Sequence, residues 1–178
     1  NHGDTDTTSS LQMAERLEKY RPFVYEEPSY PSADTIANIS RRTSIPLAHG
    51  ERLFNCRQYI PFLTKGAIQL AQPDLGTCGG ITEGKKICDM AHAFDCSVQL
   101  HICASNFSIA PALQLEAAIS NFSIHEHHSI FLQEENIRLA KYNYQPVNGY
   151  YTVPELPGLG NEWSEEAFSL AAERETIK

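Results

Sequence analysis

Basic residues are scarce in this chain. Its 14 Lys and Arg stand against 22 Asp and Glu, a formal charge of −8. Phosphate backbones call for a basic face, so nucleic acid is not an expected partner. Apolar runs long enough to span a bilayer are also lacking, which removes the membrane as a partner. The opening stretch, NHGDTDTTSS, is polar and acidic and has none of the character of a signal peptide. It also lacks a starting methionine, which points to a fragment or a processed chain. The cysteines are odd in number (Cys56, Cys78, Cys88, Cys96 and Cys103) and no two are spaced C-x-x-C. They read as free thiols of a reducing, cytoplasmic setting rather than as a disulfide framework.

What the chain does have is a rhythm. Helical periodicity over 10–20, 33–42, 56–63, 82–94 and 110–119 alternates with short β-rich runs at 23–25, 45–48, 67–71, 97–100 and 122–124. Ser9 or Ser10 is placed to cap the first helix. Ile81, Lys85, Cys88 and Ala91 are expected on the inner face of the fourth. After residue 135 come an extended or hairpin piece around 150–153, a Pro/Gly-rich stretch, PELPGLG, and an acidic helix over 164–173. Alternation with short connections predicts an α/β fold of parallel strands with outer helices.

Each of the five runs ends on an ionisable residue: Glu26, Glu51, Asp74, His101 and Glu126. In a (β/α) barrel the carboxyl ends of the strands carry the active site. Glu26 and Glu51 read in two ways. Either they converge, and two carboxylates in one dry site require a cation or a shared proton, or they are surface glutamates at loop starts. Hard oxygen donors would favour Mg²⁺. Asp74 and His101 read either as a base with its orienting carboxylate or as structural residues. The run His125-Glu126-His127-His128 invites a zinc site. Strand alternation sends His125 and His127 away from Glu126, and no Cys/His grouping has zinc-ligand spacing.

The order YEEP (25–28), HGERLF (49–54), QPD (72–74), GGIT (79–82), His101, Glu126 and PGLG (157–160) resembles the mandelate racemase-like branch of the enolase superfamily. GERLF and the step from His101 to Glu126 are similar to the galactonate dehydratase-like subgroup. The resemblance implies the C-terminal part of a modified (β/α)8 barrel, about five parallel strands (strands 4 to 8) within 1–135. Residues 136–178 would form a C-terminal extension packing on the barrel and a capping domain. It implies Mg²⁺ held by Glu26 and Glu51, with Glu27 behind them. It also implies His101 as the base oriented by Asp74, Glu126 as hydrogen-bond partner of a substrate carboxylate, and His2 as the acid for a departing β-hydroxyl. A further metal-binding Asp would stand immediately before Asn1.

The implied reaction is dehydration of a small-molecule sugar acid to a 2-keto-3-deoxy acid, in a complete protein that forms a homo-oligomer. Racemisation or epimerisation on the same scaffold is the first alternative. A catalytically silent fragment or regulatory relative is the second. Two departures, the loop ICASNFSIAP after His101 and a Glu26-to-Glu51 step one residue shorter than usual, leave the sugar's stereochemistry open.

Overall fold

Four short strands lie side by side in the computed structural model, which describes residues 1–170: β1 (Tyr25–Glu26), β2 (Leu47–His49), β3 (Leu70–Ala71) and β4 (Ser97–Val98). Their order in the sheet is their order in the chain, and every neighbouring pair is parallel. Parallel neighbours need a crossover. Here each crossover is a helix: α2 (Ala33–Ser40), α3 (Cys56–Thr64) and α4 (Gly80–Ala93), with α1 (Thr7–Leu17) ahead of β1. A doubly wound sheet would reverse its strand order at some point. An unbroken sequential order is the arc of a barrel wall.

The regular strands are shorter than the sequence runs, but the staves continue beyond them. Glu27 N–H donates to Ala48 O at 3.0 Å, Gln72 N–H to His49 O at 3.1 Å, Gln99 N–H to Ala71 O at 3.1 Å, and His101 N–H to Pro73 O at 3.1 Å. The fifth expected strand, 122–124, is reduced to one parallel bridge between Val98 and Phe122. Val98 reaches across to it through Asn121 O and Ser123 N–H at 2.8 Å each, and Phe122 and Ile124 remain exposed.

The wall is closed by apolar side chains, consecutive along β2 and β3, which are buried on both faces, and from the covering helices. Leu47, Ala48, Leu70, Ala71 and Val98 from the strands are buried together with Ile36 and Ile39 of α2, Tyr59 and Phe62 of α3, and Ile87 of α4. The inner face of α4 runs through Gly84, Ile87, Cys88 and Ala91. It excludes Ile81 and Lys85, which the sequence placed there, because Lys85 turns outward to pair with Asp89 at 2.7 Å one turn later. The cap of α1 is Asp6, which accepts from Ser9 N–H at 2.9 Å. Ser10 is instead buried and donates to Pro28 O at 2.5 Å.

The chain divides into two compact units. The first contains Asn1–His101 and Ile119–Glu126, and so all four strands. The second contains Ile102–Ala118 and the chain from His127 onward, built on α5 (Asn106–Glu116) with α6 (Glu134–Ile137) and α7 (Glu165–Leu170). Helix α5 begins earlier than its apolar run suggests because Ser105 accepts from Phe107 N–H at 3.3 Å. Its Ile109, Ala110, Ala112, Leu113 and Leu115 are buried, as is Phe131 of the same unit. The hairpin expected near 150 is a single bridge, Val147 to Tyr150, around Asn148-Gly149, both at positive φ, the turn chemistry that such a pair favours. The end of the expected acidic helix, 171–173, lies outside the described residues. Among the described residues no helix is long and apolar enough to cross a membrane.

Candidate active site

The residues expected at the site (His2, Glu26, Glu51, Asp74, His101 and Glu126) all belong to the first unit. Strand register sets their common level. Glu26 stands beside Ala48, His49 beside Ala71, and Asp74 bridges to His101 in the same parallel sense. The ionisable groups therefore follow one another along the carboxyl ends of neighbouring staves.

His101 is the centre. Its Nδ1 lies 2.7 Å from Asp74 Oδ2, and its Nε2 lies 3.2 Å from Glu51 Oε2. An ionised carboxylate only accepts, so Nδ1–H donates to Asp74 and Nε2 is the position at which a proton is gained or lost. Burial alone would push this imidazole down. The Asp74 hydrogen bond and the charges of Glu126, Glu51 and Asp74 outweigh burial and hold its pKa above the usual histidine value. Burial pushes Asp74 up, but the bond from His101 and the backbone N–H groups of Gly76 (2.6 Å) and Thr77 (3.2 Å) hold its carboxyl below the usual range.

The other expected residues belong to the same unit and have partners of their own. Gln72 Nε2 donates to Glu26 Oε2 at 2.6 Å, fixing one oxygen of that carboxylate. Glu126 reaches His101 through its charge. His2 occupies an exposed turn, at φ 54°. The turn is tied down by Gly3 N–H, which donates to Glu27 O at 3.0 Å.

Sequence reasoning gave no role to three neighbours. Arg52 Nη2 stands 3.1 Å from Glu27 Oε2, and its Nε stands 3.8 Å from Glu51 Oε1. His49 is fully buried, and desolvation lowers its pKa to about 4, so the ring is neutral. Its Nε2 faces Ser29 O at 3.4 Å and its Nδ1 faces Glu27 Oε1 at 3.4 Å. Gln72 is the third. Glu27, placed behind the metal ligands by the sequence, is itself fully buried. Neither of its oxygens, nor His49 Nδ1, has a hydrogen bond. Desolvation first, and the charge of Glu51 second, raise its pKa. One signal could have found Arg52: four carboxylates at strand ends, with Glu27 beside the first, demand a cation, and Arg52 directly follows one of them.

Glu26 and Glu51 supply hard oxygen donors of the kind that suit Mg²⁺, which is commonly held by one or two carboxylates and completes its shell with water or substrate oxygens. Among the described residues no group of three or more His, Cys, Asp or Glu is arranged to hold a metal. Glu26 and Glu51 are the residues that could hold such an ion, and two carboxylates alone would leave positions for water or substrate oxygens. Of the histidines next to Glu126, His127 Nδ1 faces the Tyr151 hydroxyl at 2.5 Å, and His128 Nδ1 accepts from Ile130 N–H at 3.2 Å.

Residues 1–167 match a family model described as Enolase C-terminal domain-like. The chain belongs to this family. Among curated relatives, it is 31% identical to the D-galactonate dehydratase of Ralstonia pickettii (strain 12J) over 170 residues, covering 92% of this chain and 44% of that protein. Among solved structures, a member of the enolase superfamily from Salmonella Typhimurium is 48% identical with a TM-score of 0.93, over 96% of this chain and 44% of that one. A mandelate racemase/muconate lactonizing enzyme from Sulfitobacter sp. is 32% identical with a TM-score of 0.87, over 93% and 41%. The chain spans less than half the length of the curated relatives it matches. Its fold is the C-terminal part of the modified barrel of this enolase superfamily member, as the sequence implied.

Proposed function

We propose that this chain carries the proton-abstracting half of an Mg²⁺-dependent hydro-lyase that converts an aldonate-type sugar acid into a 2-keto-3-deoxy sugar acid. The observation that carries the reading is the run Asp74–His101–Glu51, with contacts of 2.7 and 3.2 Å at the ends of neighbouring staves. A histidine whose Nδ1–H is committed to a carboxylate presents Nε2 as a base in a fixed direction.

In this reading His101 Nε2 takes the proton next to the substrate carboxylate, and Asp74 holds the ring in the required tautomer. Removing that proton places a second negative charge on the substrate carboxylate. Mg²⁺ bound by Glu26 and Glu51 would act there as a Lewis acid. Glu126 would hydrogen-bond a carboxylate oxygen, a contact that strengthens as charge develops. His2 would donate a proton to the departing β-hydroxyl. The relatives named as D-galactonate dehydratases support sugar-acid dehydration as the reaction class.

The test is a panel of aldonates incubated with the natural full-length polypeptide and Mg²⁺ in D₂O, with carbonyl trapping of products. Dehydration predicts a trapped 2-keto acid. A racemase or epimerase would return α-deuterated acid without a carbonyl. Neither carbonyl nor exchange across the panel would sink the proposal.

A further inference from the structure

The mechanism above gives Arg52 no task, yet its guanidinium makes polar contacts with three separate segments. Nη2 donates to the carbonyl oxygen of His2. The same nitrogen lies 3.1 Å from Glu27 Oε2, at the end of β1. Nε lies 3.8 Å from Glu51 Oε1, just past β2. The far side of Glu51, Oε2, stands 3.2 Å from His101 Nε2. A line of contacts, from the His2 carbonyl through Arg52 and Glu51, therefore leads from the His2 backbone to the His101 imidazole.

The turn that bears His2 needs such an anchor. His2 takes a left-handed backbone conformation (φ 54°) that side chains with a Cβ disfavour, and Gly3 follows at φ 68°. A Cβ on Gly3 would meet Ser29 O at 3.1 Å, so the turn presses close on the chain after β1. It is pinned at several points: Gly3 N–H donates to Glu27 O at 3.0 Å, the Asn1 amide donates to Pro28 O at 2.8 Å, and the His2 carbonyl accepts from Arg52. Glu27 beneath has a fully buried carboxyl group with no hydrogen bond on either oxygen, and Arg52 is the cation that faces it.

We propose that Arg52 is a positioning residue: it clasps the His2 turn to Glu27 and Glu51 and so sets where the His2 imidazole stands relative to His101. The roles of the two histidines rest on the reading of the previous subsection. A planar guanidinium offers several donors in fixed directions and can serve three acceptors at once, whereas a lysine ammonium is a compact point charge on a flexible stem. Arg52→Lys therefore keeps the charge beside Glu27 and loses the clasp.

The experiment uses the natural full-length polypeptide with Mg²⁺ and two variants. Arg52→Lys retains a cation over the buried carboxyl. The double variant Glu27→Gln/Arg52→Met removes the buried carboxyl and the facing cation together, so that loss of folding does not hide the result. Amide hydrogen exchange at Gly3 reads the turn directly. It is expected to quicken by about tenfold or more in both variants. With a sugar acid that the parent turns over, kcat is expected to fall on the order of 10²-fold, as for a misplaced catalytic group, while KM stays within roughly threefold. Parent-like Gly3 exchange together with parent-like kcat in Arg52→Lys overturns the clasp. If the parent turns over no sugar acid, the functional reading has failed, and the Gly3 exchange alone decides for or against the clasp.

Discussion

His101 gains its character from what lies on either side of the ring. Asp74, 2.7 Å from Nδ1, decides the tautomer. Asp74→Asn keeps the shape but puts an amide there that can donate to Nδ1, moving the ring proton to Nε2, where it blocks the base. Proton abstraction is then expected to fall on the order of 10²–10⁴-fold, read as α-deuterium exchange of the substrate in D₂O. An unchanged exchange rate would mean that another group is the base. Glu27 shows the opposite environment. Its burial favours the neutral acid, and beside it His49, with its pKa lowered to about 4, stays uncharged. Two carboxylates adjacent in sequence thus face different surroundings: Glu26 is held by a Gln72 hydrogen bond, and Glu27 is enclosed without one.

Helices α3 and α4 hold the Glu51 segment from behind. Tyr59 of α3 is fully buried and donates to Gly50 O at 2.9 Å, one residue before Glu51. Gly50 admits no side chain, because a Cβ there would meet Tyr59 Oη at 2.5 Å and the Gln72 carbonyl at 2.6 Å. The start of α3 is tied to α4 by Glu83, which accepts from Cys56 N–H at 3.0 Å. That bond, with lesser help from the Cys56 side chain and Lys86, lowers the Glu83 carboxyl from 4.5 to about 2. A depressed carboxylate contributes stability that is present above its unfolded value and is lost as pH falls through its folded one. Glu83→Gln is therefore expected to lower Tm at pH 7, and its difference from the parent should shrink between pH 4.5 and about 2. A Tm difference independent of pH across that window would show that the charge of Glu83 contributes nothing.

At the scale of the molecule, a cation held by Glu26 and Glu51, as proposed, would couple to the stability of the sheet through binding. A cation that binds only the folded state stabilises it by RT ln(1 + [L]/Kd), about 2.7 kcal/mol at a concentration of 100 Kd. Mg²⁺ is expected to raise the Tm of the natural full-length polypeptide relative to the same protein in a chelator. Glu26→Gln and Glu51→Gln should each remove most of that shift. Calorimetry that finds the same shift in both variants would count against the pair as metal donors. The two glutamates come from consecutive parallel staves, β1 and the end of β2, so the binding energy would act on the sheet itself.

The sequence alone determined the alternation of strands and helices, because short continuous apolar runs for buried parallel strands and period-3.6 patterns for helices are written into which positions are apolar. It also determined which ionisable residues end the staves, because a strand's carboxyl end follows directly from where its apolar run stops. Strand lengths, the near loss of the fifth stave and the outward turn of Lys85 depended on neighbours, since a ladder extends only as far as its partner does. The surroundings of Glu26 and Glu51, and the placing of Arg52 among Glu27, Glu51 and the His2 carbonyl, were decided only by the tertiary structure. Apart from Arg52 with its neighbour Glu51, those contacts join residues far apart in the chain, such as Gln72 with Glu26 and Arg52 with His2, and no local pattern encodes the direction in which a long side chain leaves its turn.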